Sequence, residues 1–380
     1  MDFRPSEEHE AFRKVVREFA EAEIRPHAAE WDRDHTFPLD TVRKMGALGL
    51  FGLPFDEAYG GSDADFLTLC IAIEEIARVD SSMAITLEAG VGLGTNPIHE
   101  FGTEAQKDRW LPDLVAGRTL AAFGLTEPDG GSDAKSTRTT AVLDGDEWVI
   151  NGEKAFITNC GTEMTSLVTV TARTGDDEVS AIIVPAGTPG MTVEPAYRKM
   201  GWHASDTHPI VFSDCRVPKG NLLGDRGRGY HQFLATLDDG RVAIAAMAVG
   251  VLQACLEESA QYAKDREAFG RPIGGYQGVA FKVADMEVAL EAARLLTYKA
   301  AWLKEQGMPF KQQAAHAKLF ATEAAVTATR EAVQVFGGAG YIDETFVSRL
   351  YRDAKVLEIG EGTSEIQRLV IARGLGLPVR

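Results

Sequence analysis

Glu361 is the residue best placed to do chemistry in this sequence. It lies in a tight Gly360-Glu361-Gly362, and Gly362 leads into Thr363 and Ser364. Ser364 followed by Gln367 fits a capping box, with Ile366, Leu369, Val370 and Leu375 forming an apolar helical stripe behind it. The pattern predicts a carboxylate on flexible backbone just outside a helix N-terminus, flanked by residues too small to crowd a ligand. Such a group can act as a general base, or it can simply complement the helix dipole. Asp238 and Asp239, ahead of Arg241, pose the same choice between second carboxylates and acidic charges at a helix start.

Two other stretches could meet a flat ligand. Phe123–Ser132, FGLTEPDGGS, ends in Gly130-Gly131-Ser132, which is either a ligand loop or an ordinary turn; no Gly-Lys-Ser/Thr follows, so it is not a Walker loop. Lys154–Asn159, KAFITN, alternates as a strand would. An aromatic on one face and a hydroxyl on the other suit a heteroaromatic ring with polar edges, and equally a plain half-buried strand. Gly337-Gly338-Ala339-Gly340 ends a long helix instead of following a strand, so a dinucleotide would bind here without a Rossmann unit.

The elements that must position these residues change character along the chain. Residues 1–119 read as a helical domain: Phe12, Val15, Val16 and Phe19 recur at helical spacing, and Phe66–Val79 is strongly apolar. The following stretch, rich in Ala84, Ala89, Gly90, Gly92 and Gly94, fits either close helix packing or a pocket wall. Residues 120–225 become short β-rich runs. Asp144-Gly145 and Asn151-Gly152 are hairpin signals, and Leu167–Ala172, Ala181–Val184 and Ile210–Phe212 continue the pattern, which predicts a small antiparallel barrel or sandwich. Residues 226–380 return to helical period, with Val242–Arg266, Gln277–Gln306 and Gln312–Phe336 long enough for a bundle resembling four packed helices. The fold class is therefore mainly α with a central β domain.

Composition narrows the partners. A chain of 380 residues with 45% hydrophobic content can fill a sizeable core in two or three domains. A net charge of −17 speaks against nucleic-acid binding. The four cysteines (Cys70, Cys160, Cys215, Cys255) are widely spaced with no CxxC, and the eight histidines show no HExxH, so neither a disulfide frame nor a metal site is expected. The start MDFRPSEEHE has no apolar leader, and no run reads as membrane-spanning, so a soluble cytoplasmic protein is expected.

YRDAK followed by EGTSEIQR, LTEPDGGSD and KAFITN fall in an order that resembles the acyl-CoA dehydrogenase family over nearly the whole chain. The resemblance implies FAD as cofactor, an acyl-CoA substrate, an electron-transfer flavoprotein as electron acceptor, and a homotetramer built as a dimer of dimers. Glu361 matches the family's catalytic base. Phe123, Leu125, Thr126, Gly131 and Ser132, with Phe156, Ile157 and Thr158, match its flavin positions, and Ser132 is expected to reach the pantetheine as well. Arg266 and Phe269, Tyr276 and Gln277, and Gln334, Val335, Gly337 and Gly338 match segments holding the FAD pyrophosphate and adenine, partly across a subunit interface. Thr363 and Glu365 match a further flavin-contacting turn. Asp238 and Arg241 match a CoA-contacting turn at the start of a helix; Gly362 and Arg373 match substrate contacts.

Three departures from the family pattern are visible. Gly360 replaces a frequent Tyr, which leaves the site wider. Glu267 and Ala268 replace basic and hydroxylic residues after Arg266. Some members carry the base at the position of Gly240, and glycine takes no proton, so the base is expected at Glu361. By the same resemblance the pocket floor includes Ile85, Ala89 and Ala235, which implies short, medium or branched saturated acyl-CoA substrates. An oxidase on the same scaffold and a non-catalytic flavoprotein are the competing expectations.

Overall fold

Residues 7–115 of the protein, seen in a computed structural model that describes residues 5–379, fold into helices whose starts are written in the sequence. Met1–Arg4, part of the segment read above for the absence of a leader, lie outside the described residues. Ser6 caps Glu7–Phe19 through a capping box with His9, and the Asp65 and Asp80 carboxylates accept N–H groups at the starts of Phe66–Ala77 and Ser81–Glu88. Every residue of Ser81–Glu88 is buried. The small residues beyond it serve mainly close packing: a Cβ at Gly90 would sit 2.8 Å from the Phe51 ring, and one at Gly94 would overlap the Ala121 carbonyl.

The β domain is one sheet of eight strands: β1 (Leu120–Gly124), β2 (Thr140–Asp144), β3 (Glu147–Thr158), β4 (Thr165–Gly175), β5 (Glu178–Pro185), β6 (Met191–Val193), β7 (Thr207–Pro218) and β8 (Leu222–Leu223). Its order is β6-β7-β3-β2-β4-β5-β8, with β1 paired to β4. The expectation of a purely antiparallel domain fails at β1, which runs parallel to β4, and the described strands do not close into a barrel. The Asp144-Gly145 hairpin is present, joining Asp144 to Glu147. Asn151-Gly152 is not a turn. It is a bulge within β3, where the register shifts between Ile150 and Gly152, and a Cβ on Gly152 (φ 143°) would press on Thr139 at 2.6 Å.

Three long helices follow: Gly229–Asp265, Gln277–Glu305 and Lys311–Phe336. Phe66–Ala77 from the N-terminal region packs beside the first, so the bundle joins one N-terminal helix to three from the C-terminal region. The first helix begins well before the expected Val242, because the buried run through Leu252 carries the helix back across Gly240 despite that residue's poor propensity. Asp238–Arg241 therefore lies inside a helix, not in a turn at its start. This helix is also long and apolar enough to cross a membrane, contrary to the sequence expectation, but it is mostly buried among its neighbours as a core element. One apolar core joins both helical regions, and the sheet has a second around Trp148, Val170 and Phe212.

Candidate active site

Glu361 projects from a turn between Lys355–Glu358 and the helix Ser364–Gly374. Its φ is 53°, a left-handed conformation rare for a residue with a side chain, and Gly362 follows at φ 91°. The cap of the helix is Thr363, whose hydroxyl accepts the Ile366 N–H at 3.4 Å; Ser364 is already helical. The predicted capping box does not form. Gln367 instead turns its amide back to the Gly362 carbonyl at 2.8 Å, and Lys318, from Lys311–Phe336, donates its Nζ to the same oxygen. Gln367 and Lys318 are both fully buried. Two buried donors on one carbonyl hold the strained turn in place. The stripe of Ile366, Leu369, Val370 and Leu375 is not the buried face: these residues are half-buried or exposed, and Ser364 and Gln367 face inward.

Glu361 is half-buried as a residue, yet both carboxylate oxygens are shielded from solvent and neither has a hydrogen-bond partner among the described residues. The carboxylate lies against the bare Cα of Gly240, where an added Cβ would overlap Oε2. The resemblance made that position an alternative place for a base, and in this chain the space is already taken by Glu361. Burial pushes the carboxyl up to about 7, against the pull of Glu88, Lys318 and Arg241 and with a push from Asp239. That rise comes from packing within the chain itself. Lys318 responds in turn: burial draws its ammonium down to about 8, with Glu361 opposing.

Arg241 is buried and ion-paired to Asp238, three residues back on the same helix face. Asp239 pairs with Lys304 at 2.9 Å, which makes it a structural anion and weakens it as an alternative base. Lys311 stands 3.9 Å from Asp238 and lines a groove with Gln312, Val370 and Arg373. Lys311 thus links Asp238 to the groove that Arg373 lines. Gly360 carries open space: a Cβ there would meet only the Val356 carbonyl, at 3.6 Å.

The two β-domain motifs are clamped together. The Ala155 N–H donates to the Thr126 carbonyl at 2.8 Å, and the fully buried Lys154 reaches Glu127 at 2.8 Å and the Leu125 carbonyl at 3.3 Å. Glu127 also accepts the Arg138 and Thr139 N–H groups. Thr126 and Thr158 are half-buried, Gly131 and Ser132 are exposed, and Phe156 (φ 61°) is 64% exposed while Ile157 points into the sheet core. Leu125 is half-buried, and Phe123 stacks on Phe233 of the first long helix at 3.8 Å. Asn159 ties the end of β3 to the Thr86 carbonyl at 3.1 Å, two residues from Glu88.

The remaining predicted cofactor residues lie elsewhere. Arg266 caps the far end of Gly229–Asp265, and Tyr262 stacks on Phe336 at 4.0 Å, which brings Arg266 and Gln334–Gly338 to one end of the bundle. There Phe269 is 96% exposed, and Gln277, Gln334, Gly337 and Gly338 are exposed; Tyr276 is half-buried and Val335 buried. Thr363 and Glu365 flank the Glu361 turn. Sequence reasoning missed Lys318 and Glu88. Lys318 recurs in register with buried Ala314, Ala317, Ala321 and Ala325, so a lysine inside an apolar helical stripe was the available signal. For Glu88 the signal was a lone acid at the end of a buried helix.

These surfaces fit a flavin dinucleotide: an exposed aromatic and two half-buried threonines in the β domain, and open glycines at Gly131, Gly337 and Gly338, where an added Cβ would meet nothing within 4 Å. A β domain set between two helical regions in the chain, with a desolvated carboxylate in the helical bundle, is the arrangement against which known proteins can be set. The chain belongs to the acyl-CoA dehydrogenase family, whose N-terminal, middle and C-terminal domain profiles match residues 6–118, 122–215 and 227–376. It is 50% identical over 378 residues to the probable acyl-CoA dehydrogenase YngJ of Bacillus subtilis, covering 99% of this chain and 100% of that one. It is 45% identical to the short-chain specific acyl-CoA dehydrogenase of Clostridium acetobutylicum, over 98% and 99% of the two chains. Butyryl-CoA dehydrogenase from Megasphaera elsdenii superposes with a TM-score of 0.96 at 42% identity, over 99% of this chain and 100% of the other. A chain in a structure described as the electron transferring flavoprotein of Acidaminococcus fermentans gives the same TM-score and identity, covering 99% of each. The protein is therefore an FAD-dependent oxidoreductase acting on CH–CH bonds.

Proposed function

We propose that the protein dehydrogenates a short saturated acyl-CoA to the trans-2-enoyl-CoA, with Glu361 as the general base. The observation that carries this reading is the unpartnered, desolvated carboxylate of Glu361 lying on Gly240. Abstracting a weakly acidic α-hydrogen needs a positioned base whose proton affinity lies near the working pH, and burial supplies that affinity. Glu361 takes the α-proton; FAD, when bound, supplies the acceptor for the β-hydride. The Glu361 N–H, fixed by the left-handed turn, is assigned to polarise the thioester oxygen. Asp238, Arg241 and Arg373 hold the CoA side, together with Gly362 and Ser132. Thr126, Thr158 and Phe156 with their neighbours hold the flavin ring.

The short-chain preference draws support from the names of the relatives and from the buried Ile85 and Ala89 beside Glu88. Ala235, assigned to the same floor, is exposed in this structure. The electron transferring flavoprotein named in the description of the Acidaminococcus structure, a chain of which superposes on this one, supports such a flavoprotein as acceptor. Four buried free cysteines accord with a cytoplasmic setting. Gln277–Glu305 exposes Phe281, Val288, Leu295 and Trp302 at seven-residue spacing, which supports burial against further copies of the chain in a tetramer.

Anaerobic titration of wild type and Glu361→Gln with acyl-CoAs of graded length, followed by flavin bleaching, tests the proposal. Wild type should bleach best with short chains. The variant should bind FAD and acyl-CoA but bleach roughly 10²–10⁴-fold more slowly. In wild type kcat/KM should rise with pH through about 7, because the base must lose its proton to work. A variant that bleaches at the wild-type rate would remove Glu361 from the role.

A further inference from the structure

We propose that Glu88 is a positioning residue for Glu361: held as a neutral carboxylic acid, it donates a hydrogen bond to the Glu361 carboxylate and aims it. The inference rests on the reading of Glu361 as the base, and it concerns a side chain that no part of that reading uses.

Glu88 closes the fully buried helix Ser81–Glu88 and is itself 1% exposed. The chain widens immediately afterwards into a π-helical stretch, Ala89–Thr95, an irregularity that recurs at functional sites. Gly92, four residues on, makes room for the acid: a Cβ there would stand 2.9 Å from Glu88 Oε1. The carboxyl group is thus accommodated, not stranded. Yet among the described residues neither of its oxygens has a hydrogen-bond partner, and the same holds for both oxygens of Glu361, the one ionisable side chain there that it faces.

Two bare carboxylates in a dry site repel, and neither can donate; a single proton between them turns the repulsion into a hydrogen bond. The surrounding charges decide which partner keeps that proton. Glu361 faces Lys318 from Lys311–Phe336, and Arg241 and Asp239 from Gly229–Asp265, with Asp239 partly offset by Lys304 and Arg241 by Asp238. The two cations favour charge on Glu361. Among the described residues no cation faces Glu88, where burial and then the Glu361 charge raise the carboxyl well above its usual range. The proton therefore resides on Glu88. Its hydrogen bond offsets part of the desolvation that raises Glu361 and fixes the rotamer in which the carboxylate overlies Gly240.

The pH profile of kcat/KM with butyryl-CoA, measured on FAD-loaded wild type, Glu88→Gln, Glu88→Leu and Glu361→Gln, separates the possibilities. Glu88→Leu loses the donor, so its acidic limb should move to higher pH, with about a tenfold rate loss at pH 7 for each pH unit moved. Glu88→Gln keeps an N–H donor and should return the limb toward wild type, a rescue that simple packing does not predict. A Glu88→Leu limb that stays put, or that moves to lower pH as relief from a charged neighbour would dictate, overturns the inference. If Glu361→Gln is inactive while Glu88→Leu titrates like wild type, only this inference falls; an active Glu361→Gln removes the base assignment itself. Should Glu88→Leu not fold, the infrared difference spectrum of wild type minus Glu88→Gln at about pH 8 decides. A protonated-carboxyl band in wild type supports the proposal, and its absence overturns it.

Discussion

Gly240→Ala is a one-methyl perturbation that tests where the Glu361 carboxylate sits in the working enzyme. The added Cβ would lie 2.5 Å from Glu361 Cδ and 3.0 Å from Oε1, and would overlap Oε2. Comfortable contacts between such atoms are about 3.5–4.0 Å, so Cδ must retreat by roughly 1 Å and the overlapped Oε2 by roughly 2 Å. Displacement of a catalytic group by the smaller distance already costs on the order of 10²-fold in rate. Stability should change far less. The overpacking penalty, about 1–3 kcal/mol, is opposed by roughly 1 kcal/mol gained on replacing a helical glycine by alanine. The expected outcome is a protein that stays yellow, melts within a few degrees of wild type and is bleached by butyryl-CoA about a hundredfold more slowly. Stopped-flow absorbance and a thermal melt on one preparation measure both. Bleaching within about threefold of wild type would show that Glu361 does its work from another position, and the contact with Gly240 would lose its meaning.

Arg241→Ala should mainly raise KM for the CoA ester, and because it strands the Asp238 carboxylate in a buried setting it should also lower the melting temperature. A collapse of kcat at constant KM would contradict a binding role. Replacing Phe281 and Trp302 together by Glu should leave the fold of each chain intact but reduce the assembly in analytical ultracentrifugation; an unchanged sedimentation coefficient would clear this stripe of any interface role.

Periodicity alone was enough to read the helical, β and helical order, because most of these elements bury one continuous face. It failed where tertiary packing overrides local preference. Gly240 and the acidic pair before it read as a helix start, yet burial of the run after them carries the helix through to Gly229. Asn151-Gly152 reads as a hairpin and is a bulge, because the glycine serves a close approach to Thr139 and not a reversal of the chain. Glu361, the candidate base, was legible in the turn around it and gained its role through family resemblance. Its environment was not legible. Glu88, Gly240, Lys318 and Gln367 come from separate stretches of the chain, and only the packed bundle brings them to one carboxylate.

Under the proposed assignments, the arrangement of the cofactor residues calls for more than one chain. Gly240 marks the position of Glu361 on the first long helix, and Arg266 caps the end of that helix twenty-six residues further on. At about 1.5 Å per residue the two are roughly 39 Å apart along a single rigid axis. Phe269, Gln277, Gln334 and the glycines after it cluster with Arg266 at that far end, and they are exposed. A dinucleotide whose ring lies beside Glu361 does not span that length, so under the proposed assignments each chain's far cluster serves the cofactor of a neighbour. The exposed stripe of Phe281, Val288, Leu295 and Trp302 then has a second consequence beyond burying apolar surface. Assembly becomes a condition of cofactor affinity, and loss of the interface should weaken FAD binding even though every residue around Glu361 stays in place.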